Sequence, residues 1–395
     1  VDMDNKGLAG LEKSLDARLS AGEDITLSID AGVQAVVARE IARQMEVFEA
    51  IGGAGVMLDI HSGEVVAMVS LPDYNPNHFA TIEDDARFNR ATLGLYEMGS
   101  TFKVLNTAIA LQSGATTTSS YYEVSKPLRF GRFSVWDYHM YDRDLSVPEI
   151  LVLSSNIGSA RMAADIGAER QQFYLRQLGL FNKVSLEIPE MANPLVPSTW
   201  RSTSIATVSY GHGISVTPLH LASSVAAASG SGAMVEPTLM HRGGAPAPMS
   251  ERLFSEETTK AVRSMMRLVV SHPDGTGNFA EAKGYMVGGK TGTSEKINPD
   301  GGYFKDKNIA SFAATFPVHD PRYVLVVMVD EPKGQKHSYG YATGGWVAAP
   351  AAKRIIEHAA PLLGILPVDE NSPEIRQKLR LDFKIGKEEK TLASY

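Results

Sequence analysis

The chain has 395 residues, of which 44% are hydrophobic and 21% are charged, and its formal net charge is −7 at pH 7. This length and hydrophobic content allow a large core in one large or two ordinary domains, and the mild acidity argues against a nucleic-acid partner. The absence of cysteine excludes disulfides, zinc–thiolate sites and cysteine nucleophiles.

The residue pattern in the first 69 positions predicts strands on either side of one long helix. Residues 1–24 are polar and are interpreted as the remnant of a truncated pedestal domain or linker. A short strand is expected at 25–29 and a helix at 31–50, preceded by Asp30, a residue type that favours the start of a helix. A hairpin at 55–69 follows.

Residues 86–240 carry mostly helical signals and are predicted to form an inserted helical subdomain. Ser146 and Glu149 are spaced as a capping box at the start of one helix, which is expected to break at 154–156. Thr217 precedes a further helix that begins with Pro218.

Strand signals return after another helix at 256–270. The predicted elements of this part are strands at 285–293, 309–316 and 323–329 and a final helix at 345–360. The segment 294–308 is predicted to be a polar loop, and residues 366–395 to be a charged C-terminal tail.

This order of sheet, helical insertion and sheet predicts an α+β fold with a mostly antiparallel five-stranded sheet flanked by helices. The main domain is predicted to span 25–365, with the helical subdomain at about 86–240 inserted in it. The cleft between the two parts is the expected ligand site, because ligands commonly bind between such units.

A helix predicted from Ser100 to Ser113 carries the most informative polar residues. Ser100, Lys103 and Thr107 share one face of an otherwise apolar helix. A serine becomes a nucleophile when a base takes its proton, and burial lowers the pKa of a lysine so that its neutral amine can be that base. Taken alone, the same pattern fits a serine that caps a helix beside a lysine that extends to solvent.

Two further short motifs, each present once, accompany Ser100-x-x-Lys103. They are Ser154-x-Asn156 in the predicted helix break and Lys290-Thr291-Gly292 on a predicted strand. The three motifs in this order resemble the signature of penicillin-binding transpeptidases and serine β-lactamases. The resemblance covers about residues 24–364 and implies the fold of those enzymes, with the active site in the cleft between the helical subdomain and the sheet.

The resemblance implies a role for the residues of the first two motifs. Ser100 would be the acylated nucleophile and Lys103 its proton acceptor. Ser154 could relay a proton toward the leaving amine. The amide of Asn156 would hold a substrate peptide group and contact Lys103.

The third motif and the residue after it would bind the substrate or a β-lactam. Lys290 would supply a positive field that keeps Lys103 neutral and attracts a carboxylate, to which Thr291 and Thr293 offer hydroxyl groups. Gly292 would allow the backbone to approach the substrate closely. By resemblance, the oxyanion hole is formed by the backbone N–H groups of Ser100 and Thr293. No metal or organic cofactor is implied.

Further segments resemble class B penicillin-binding proteins of the division-specific, FtsI-type branch. They are residues 96–103, 210–218, 275–277 and 287–293. The segment 339–350 is similar to one typical of this branch, although Ala342 and Thr343 are additional residues and Met98 stands where proline is usual.

This resemblance implies a serine DD-transpeptidase that cross-links peptidoglycan stem peptides during septal cell-wall synthesis. Ser100 would attack the D-Ala–D-Ala bond, release D-Ala and pass the acyl group to a neighbouring stem amine, and β-lactams would acylate the same serine. The implied location is the periplasmic face of the bacterial inner membrane, with the anchor and pedestal missing from this sequence. The implied partners are membrane division proteins, including a SEDS-type glycosyltransferase.

The sequence is also compatible with other functions. A serine β-lactamase or a penicilloyl-binding sensor would share the fold and the acyl-enzyme, although class D β-lactamases carry an apolar residue in place of Asn156. A remote alternative is a nucleotide hydrolase, because residues 284–291 match the phosphate-loop pattern G-x-x-x-x-G-K-[ST]. Gly292 and Pro299 disfavour the helix that such a loop must open.

Overall fold

The computed structural model describes residues 1, 4–77 and 82–379. In chain order, its strands are β1 (Gly52–Asp59), β2 (Val65–Leu71), β3 (Tyr121–Tyr122), β4 (Leu128–Phe130), β5 (Phe133–Val135), β6 (Leu145–Ser146), β7 (Gly288–Ile297), β8 (Tyr303–Phe316) and β9 (Tyr323–Asp330). Its helices are α1 (Gly10–Ser14), α2 (Asp16–Ser20), α3 (Ala31–Val47), α4 (Asp84–Arg87), α5 (Phe102–Gln112), α6 (Val147–Val152), α7 (Asn156–Ile166), α8 (Ala168–Gln177), α9 (Ser202–Val208), α10 (Pro218–Ser229), α11 (Glu256–Ser271), α12 (Ala348–Leu362) and α13 (Pro373–Lys378).

Five strands form one antiparallel sheet in the order β2-β1-β9-β8-β7. The central strand β9 and its neighbour β1 are buried along their whole length, because helices cover both faces of the sheet. The predicted α+β fold with a five-stranded antiparallel sheet is therefore confirmed. The strand that carries Lys290, β7, lies at one edge.

One face of the sheet is covered by α3 and α12. Glycines in β1 let α3 lie close to the sheet, since a Cβ atom at Gly55 would stand only 2.5 Å from Cγ1 of Val37. Ile355 and Ile356 of α12 are fully buried in the same hydrophobic cluster. The first and last long helices thus pack together on one side of the sheet.

The other face of the sheet meets α10 and α11, and α5 packs against these two helices. All three helices share a hydrophobic cluster with the helical subdomain. Each residue of α10 is buried, so this helix lies between the sheet and the subdomain. The capping box of Ser146 and Glu149 at the start of α6 is confirmed. The helix break at 154–156, between α6 and α7, is confirmed as well.

Two details differ from the sequence prediction. Residues 25–29 form no strand, and Leu27 makes a single bridge to Met240. The segment 294–308 is mostly strand, because β7 runs to Ile297 and β8 begins at Tyr303. These extensions are polar and reach beyond the core, so they lack the apolar alternation that indicates a strand.

The two ends of the described chain are attached to the rest of the protein. The backbone N–H of Gly10, at the start of α1, donates to both carboxylate oxygens of Glu190. The first part of the predicted tail contains α13, whose Ile375 packs with Met286 and Val318. Residues 380–395 lie outside the described residues, and the predicted domain boundaries stay predictions. No helix in the described part of the chain is long and apolar enough to cross a membrane.

Candidate active site

Ser100 lies in a short 3-10 turn, Gly99–Thr101, that leads directly into α5. The regular helix therefore begins later than predicted, at Phe102. The turn is tight because Gly99 has a φ of 55°, and a Cβ atom there would stand 2.6 Å from the carbonyl oxygen of Thr293. The main chain beside Ser100 is thus packed directly against the main chain of β7.

Lys103 is the centre of the site. Its Nζ lies 2.9 Å from Ser100 Oγ, 3.1 Å from Ser154 Oγ and 2.7 Å from Asn156 Oδ1. It also donates to the Ser154 carbonyl oxygen at 2.7 Å. The side chain is fully buried, and burial lowers its pKa to about 7 against the opposing effect of Asp137. Near neutral pH, this amine can therefore accept a proton.

The second motif owes its shape to an unusual backbone conformation. Ser154 has a φ of 62°, which turns the chain between α6 and α7 and brings its carbonyl oxygen and hydroxyl group to Lys103. Ser155 accepts from the Gly158 N–H at 2.9 Å and caps α7. The amide nitrogen of Asn156 donates to the Trp136 carbonyl oxygen at 3.0 Å, so its oxygen faces Lys103.

The carboxylate of Asp137 holds this loop and was not predicted from the sequence. One oxygen accepts from the backbone N–H groups of Asn156 and Ile157 at 2.5 and 2.9 Å. The other accepts from Ser155 Oγ at 2.6 Å. Asp137 lies in an irregular segment, 19 residues before Asn156, and only its acidic side chain beside a predicted helix start could have suggested the contact.

The third motif lies on β7, where Lys290 is fully buried. Its Nζ donates to the carbonyl oxygen and to Oγ1 of Thr291, at 3.1 and 3.2 Å. Burial, together with the charge of Lys103, lowers the pKa of Lys290 well below its usual value. The hydroxyl of Thr291 in turn donates to Thr276 Oγ1 at 3.0 Å, a contact that sequence reasoning missed.

Gly292 has no room for a side chain. A Cβ atom there would stand 2.3 Å from Ser311 Oγ and 2.4 Å from the Met98 carbonyl oxygen. This contact joins β7 to the turn before Ser100. The next residue, Thr293, accepts from the Gly344 N–H at 3.0 Å through its hydroxyl oxygen.

The predicted residues meet at a cleft of about 600 Å³ between the sheet and the helical subdomain. Ser100, Ser154, Asn156, Thr291 and Thr293 line it. Lys103 and Lys290 lie beneath this surface, since neither has exposed area. Aromatic side chains that the sequence did not assign to the site form much of the wall; they are Tyr138, Phe279, Tyr341 and Trp346.

Two other sequence features are not part of this constellation. Thr107, which shares a helix face with Ser100 and Lys103, is buried, and its hydroxyl has no partner among the described residues.

The segment 284–291, which matches the phosphate-loop pattern, leads into a strand and not into a helix, because Gly288 and the residues after it form β7. Its context is therefore wrong for nucleotide binding. No cluster of three or more metal-binding side chains is found in the described part of the chain.

Residues 53–357 match the family model of the penicillin binding protein transpeptidase domain. The chain belongs to this family. It is 40% identical over 376 residues to the probable peptidoglycan D,D-transpeptidase FtsI of Caulobacter vibrioides, which covers 92% of this chain and 64% of the relative. It is 32% identical over 395 residues to the peptidoglycan D,D-transpeptidase FtsI of Escherichia coli, which covers 93% of this chain and 65% of the relative. The resemblance to FtsI-type members predicted from the motifs is confirmed.

Solved structures show the same fold. The transpeptidase domain of Burkholderia pseudomallei penicillin-binding protein 3, in its apo form, matches with a TM-score of 0.77 at 30% identity, covering 86% of this chain and 97% of that one. The chain spans close to two thirds of the curated relatives it matches, 64% in the first case. The fold and the family of this domain therefore agree.

Proposed function

We propose that this protein is a serine DD-transpeptidase that cross-links peptidoglycan stem peptides in septal cell-wall synthesis. One observation carries the proposal: a fully buried lysine amine lies within hydrogen-bond distance of two serine hydroxyls and one asparagine oxygen. This arrangement supports a serine nucleophile with an adjacent base. The names of the relatives, peptidoglycan D,D-transpeptidases, supply the substrate.

In the first step, Ser100 Oγ attacks the carbonyl carbon between the two terminal D-Ala residues of a donor stem peptide. The hydroxyl proton passes to the neutral Nζ of Lys103, 2.9 Å away, and the carbonyl oxygen becomes an oxyanion. The backbone N–H groups of Ser100 and Thr293 stabilise this oxyanion. When the C–N bond breaks, Ser154 Oγ relays the proton from Lys103 to the leaving amine, D-Ala departs and an ester to Ser100 remains.

In the second step, the amine of a neighbouring stem peptide attacks the ester. Lys103, again neutral after the first step, accepts a proton of this amine through Ser154 and passes it to Ser100 Oγ as the C–O bond of the ester breaks. The products are the cross-linked peptide and the free enzyme. A β-lactam has a carbonyl group in the position of the D-Ala–D-Ala bond and forms an ester with Ser100 in the same way.

Substrate binding is assigned to the groups that line the two sides of the cleft. Asn156 holds a peptide group of the donor through its amide. Lys290 contributes positive potential toward the terminal carboxylate, which Thr291 and Thr293 bind through their hydroxyls. Gly292 lets the donor peptide approach β7 at the edge of the sheet.

The cellular setting belongs to the same proposal. The catalytic domain works on the periplasmic side of the bacterial inner membrane, where its substrate is located. Its partners there are membrane division proteins, including a SEDS-type glycosyltransferase. The proposed domain spans 25–365, with 1–24 as a pedestal or linker segment and 366–395 as a tail.

Intact-protein mass spectrometry after incubation with benzylpenicillin tests this function, with Ser100→Ala as the control. We expect a stable adduct of one penicillin mass on the wild type and none on the variant. A Ser113→Ala variant, changed at the other end of the helix region, should be labelled like the wild type. Rapid penicillin hydrolysis without an adduct would indicate a β-lactamase. If the wild type forms no adduct and does not hydrolyse penicillin, the serine mechanism is excluded.

A further inference from the structure

The turn that presents Ser100 rests on a buried carboxyl group that the roles above leave unused. Glu97 lies three residues before Ser100 and is only 5% exposed. Its Oε1 accepts from the Gly213 N–H at 2.6 Å and from the Tyr303 hydroxyl at 3.1 Å. Its Oε2 is buried and has no hydrogen-bond partner among the described residues.

Glu97 joins the Ser100 turn to three other parts of the chain. Its carboxyl group reaches the 210–216 loop through Gly213 and β8 through Tyr303. Its backbone carbonyl oxygen accepts from Ser294 Oγ on β7. On either side of it, Tyr96 exchanges backbone hydrogen bonds with Val216, and the Gly99 N–H donates to the Gly211 carbonyl oxygen at 3.3 Å.

The connection through Glu97 links the Ser100 turn to the strands beside it, among them β7, which carries Thr293. The backbones at Gly99 and Thr293 are already in contact, as the 2.6 Å approach of a Cβ atom at Gly99 shows. Any movement of the turn relative to β7 would change the distance between the N–H groups of Ser100 and Thr293. Oxyanion stabilisation depends on both donors pointing at one position, so small displacements reduce the rate.

Stability alone does not account for a carboxyl group at this position. None of the described residues forms an ion pair with Glu97, and one of its buried oxygens is unpaired. Burial also raises the pKa of its carboxyl group, against the opposing hydrogen bonds from Gly213 and Tyr303. Burying an acid with an unpaired oxygen costs folding free energy. Its two hydrogen bonds, however, hold the turn that carries Ser100.

We propose that Glu97 is a positioning residue that holds the Ser100 turn at the correct distance from β7 for the two oxyanion donors to act together. This inference rests on the proposed function, because the donors matter only if Ser100 is acylated. Glu97 does not contact the substrate in this proposal. Its carboxyl group acts through Gly213 and Tyr303.

The test compares Glu97→Ala and Glu97→Gln with the wild type in stopped-flow acylation by a fluorescent penicillin. Varying the penicillin concentration separates the dissociation constant of the initial complex from the acylation rate constant. We expect Glu97→Ala to lose about 100-fold in the acylation rate constant, comparable to the loss of one oxyanion donor, with an almost unchanged dissociation constant. Glu97→Gln keeps an acceptor oxygen and should recover most of the rate.

The controls separate positioning from general destabilisation. Glu295→Gln changes an exposed acid on β7 and should leave both constants unchanged. If Glu97→Ala does not fold, Tyr303→Phe removes one hydrogen bond alone and should lower the rate constant about fivefold with a wild-type circular dichroism spectrum.

Equal acylation rate constants for the wild type and Glu97→Ala would overturn the positioning role. So would equal losses for Glu97→Ala and Glu97→Gln, because the rescue by an acceptor oxygen would be missing. A wild type that is not acylated at all would instead contradict the proposed function, which keeps the two failures distinguishable.

Discussion

The amine nitrogen of Lys103 lies 2.9 Å from the hydroxyl oxygen of Ser100, and both atoms belong to neighbouring turns at the start of α5. The lysine reaches this position without an ion-pair partner among the described residues, and burial lowers its pKa to about 7. A base with a pKa near the working pH combines a large neutral fraction with adequate basicity.

Acylation should therefore depend on pH through Lys103. The amine is protonated and inactive below its pKa, so the acylation rate constant should rise between pH 5.5 and 8.5 with a midpoint at about 7. Stopped-flow acylation by a fluorescent penicillin across this pH range measures the rate constant and its midpoint. A rate that stays constant over the range would show that Lys103 is not the proton acceptor.

Lys103→Arg tests the same base by substitution. A guanidinium group cannot lose its proton under these conditions, so we expect the acylation rate constant to fall by about 1000-fold or more. Lys305→Arg, an exposed lysine on β8, is the matched control and should react like the wild type. Retention of more than a tenth of the wild-type rate by Lys103→Arg would contradict the assignment.

Asp137→Asn should have two separable effects. The negative charge of Asp137 raises the pKa of Lys103, so its loss should move the midpoint of the pH profile to lower pH. The neutral asparagine amide also makes weaker hydrogen bonds to the start of α7 than the carboxylate does, which should cost about 1 kcal/mol of unfolding free energy.

The pH profile and a urea unfolding curve measure the two effects of Asp137→Asn separately. Asp142→Asn changes an exposed acid in the same segment and should alter neither the midpoint of the pH profile nor the unfolding free energy. A midpoint that moves to higher pH would be inconsistent with the electrostatic effect.

Lys290→Met should shift the profile in the opposite direction. The charge of Lys103 lowers the pKa of Lys290, and repulsion between two charges is mutual. Removing Lys290 should therefore raise the pKa of Lys103 and move the midpoint to higher pH. The initial complex with a penicillin carboxylate should weaken as well, by about tenfold, because a positive charge near the carboxylate is lost. An unchanged profile and unchanged affinity would leave Lys290 without the proposed role.

Gly292→Ala should disturb the contact between β7 and the Ser100 turn. Its Cβ atom would overlap Ser311 Oγ and the Met98 carbonyl oxygen, at 2.3 and 2.4 Å. Overpacking of this kind typically costs about 1–3 kcal/mol, and the acylation rate should fall as β7 moves. Urea unfolding measures the cost. Gly32→Ala, where a Cβ atom meets only side-chain atoms at 3.2 Å, should change stability by less than about 1 kcal/mol.

The motif residues could be predicted because residue types at this spacing indicate a serine nucleophile with a neighbouring base. Ser100 and Lys103 share a helix face by local geometry alone, and the break at Ser154 follows from the capping signals around it. The order of the three motifs then indicated one cleft. The antiparallel pairing of β8 with β9 follows from the short connection between them in the sequence, whereas the edge position of β7 is known only from the structure.

Other parts of the site depend on contacts between distant segments and could not be predicted. Asp137 lies in a segment without periodicity, and its partners become apparent only when α7 is placed beside it. Thr276 meets Thr291 across a loop and a strand. Glu97 lies in a segment that resembles the family, but its contact with Tyr303 spans 206 residues and leaves no local signal.

The long separation between Glu97 and Tyr303 also has a consequence for biosynthesis. A chain made or exported from its N-terminus presents the serine helix many residues before β7 and β8 appear, since the two contact residues are 206 positions apart. Until those strands pair, Ser100 lacks Thr293 beside it and the lysine is not enclosed. A nascent or partly exported chain is therefore expected to be chemically inert, so that reactivity toward β-lactams begins only once the domain is complete.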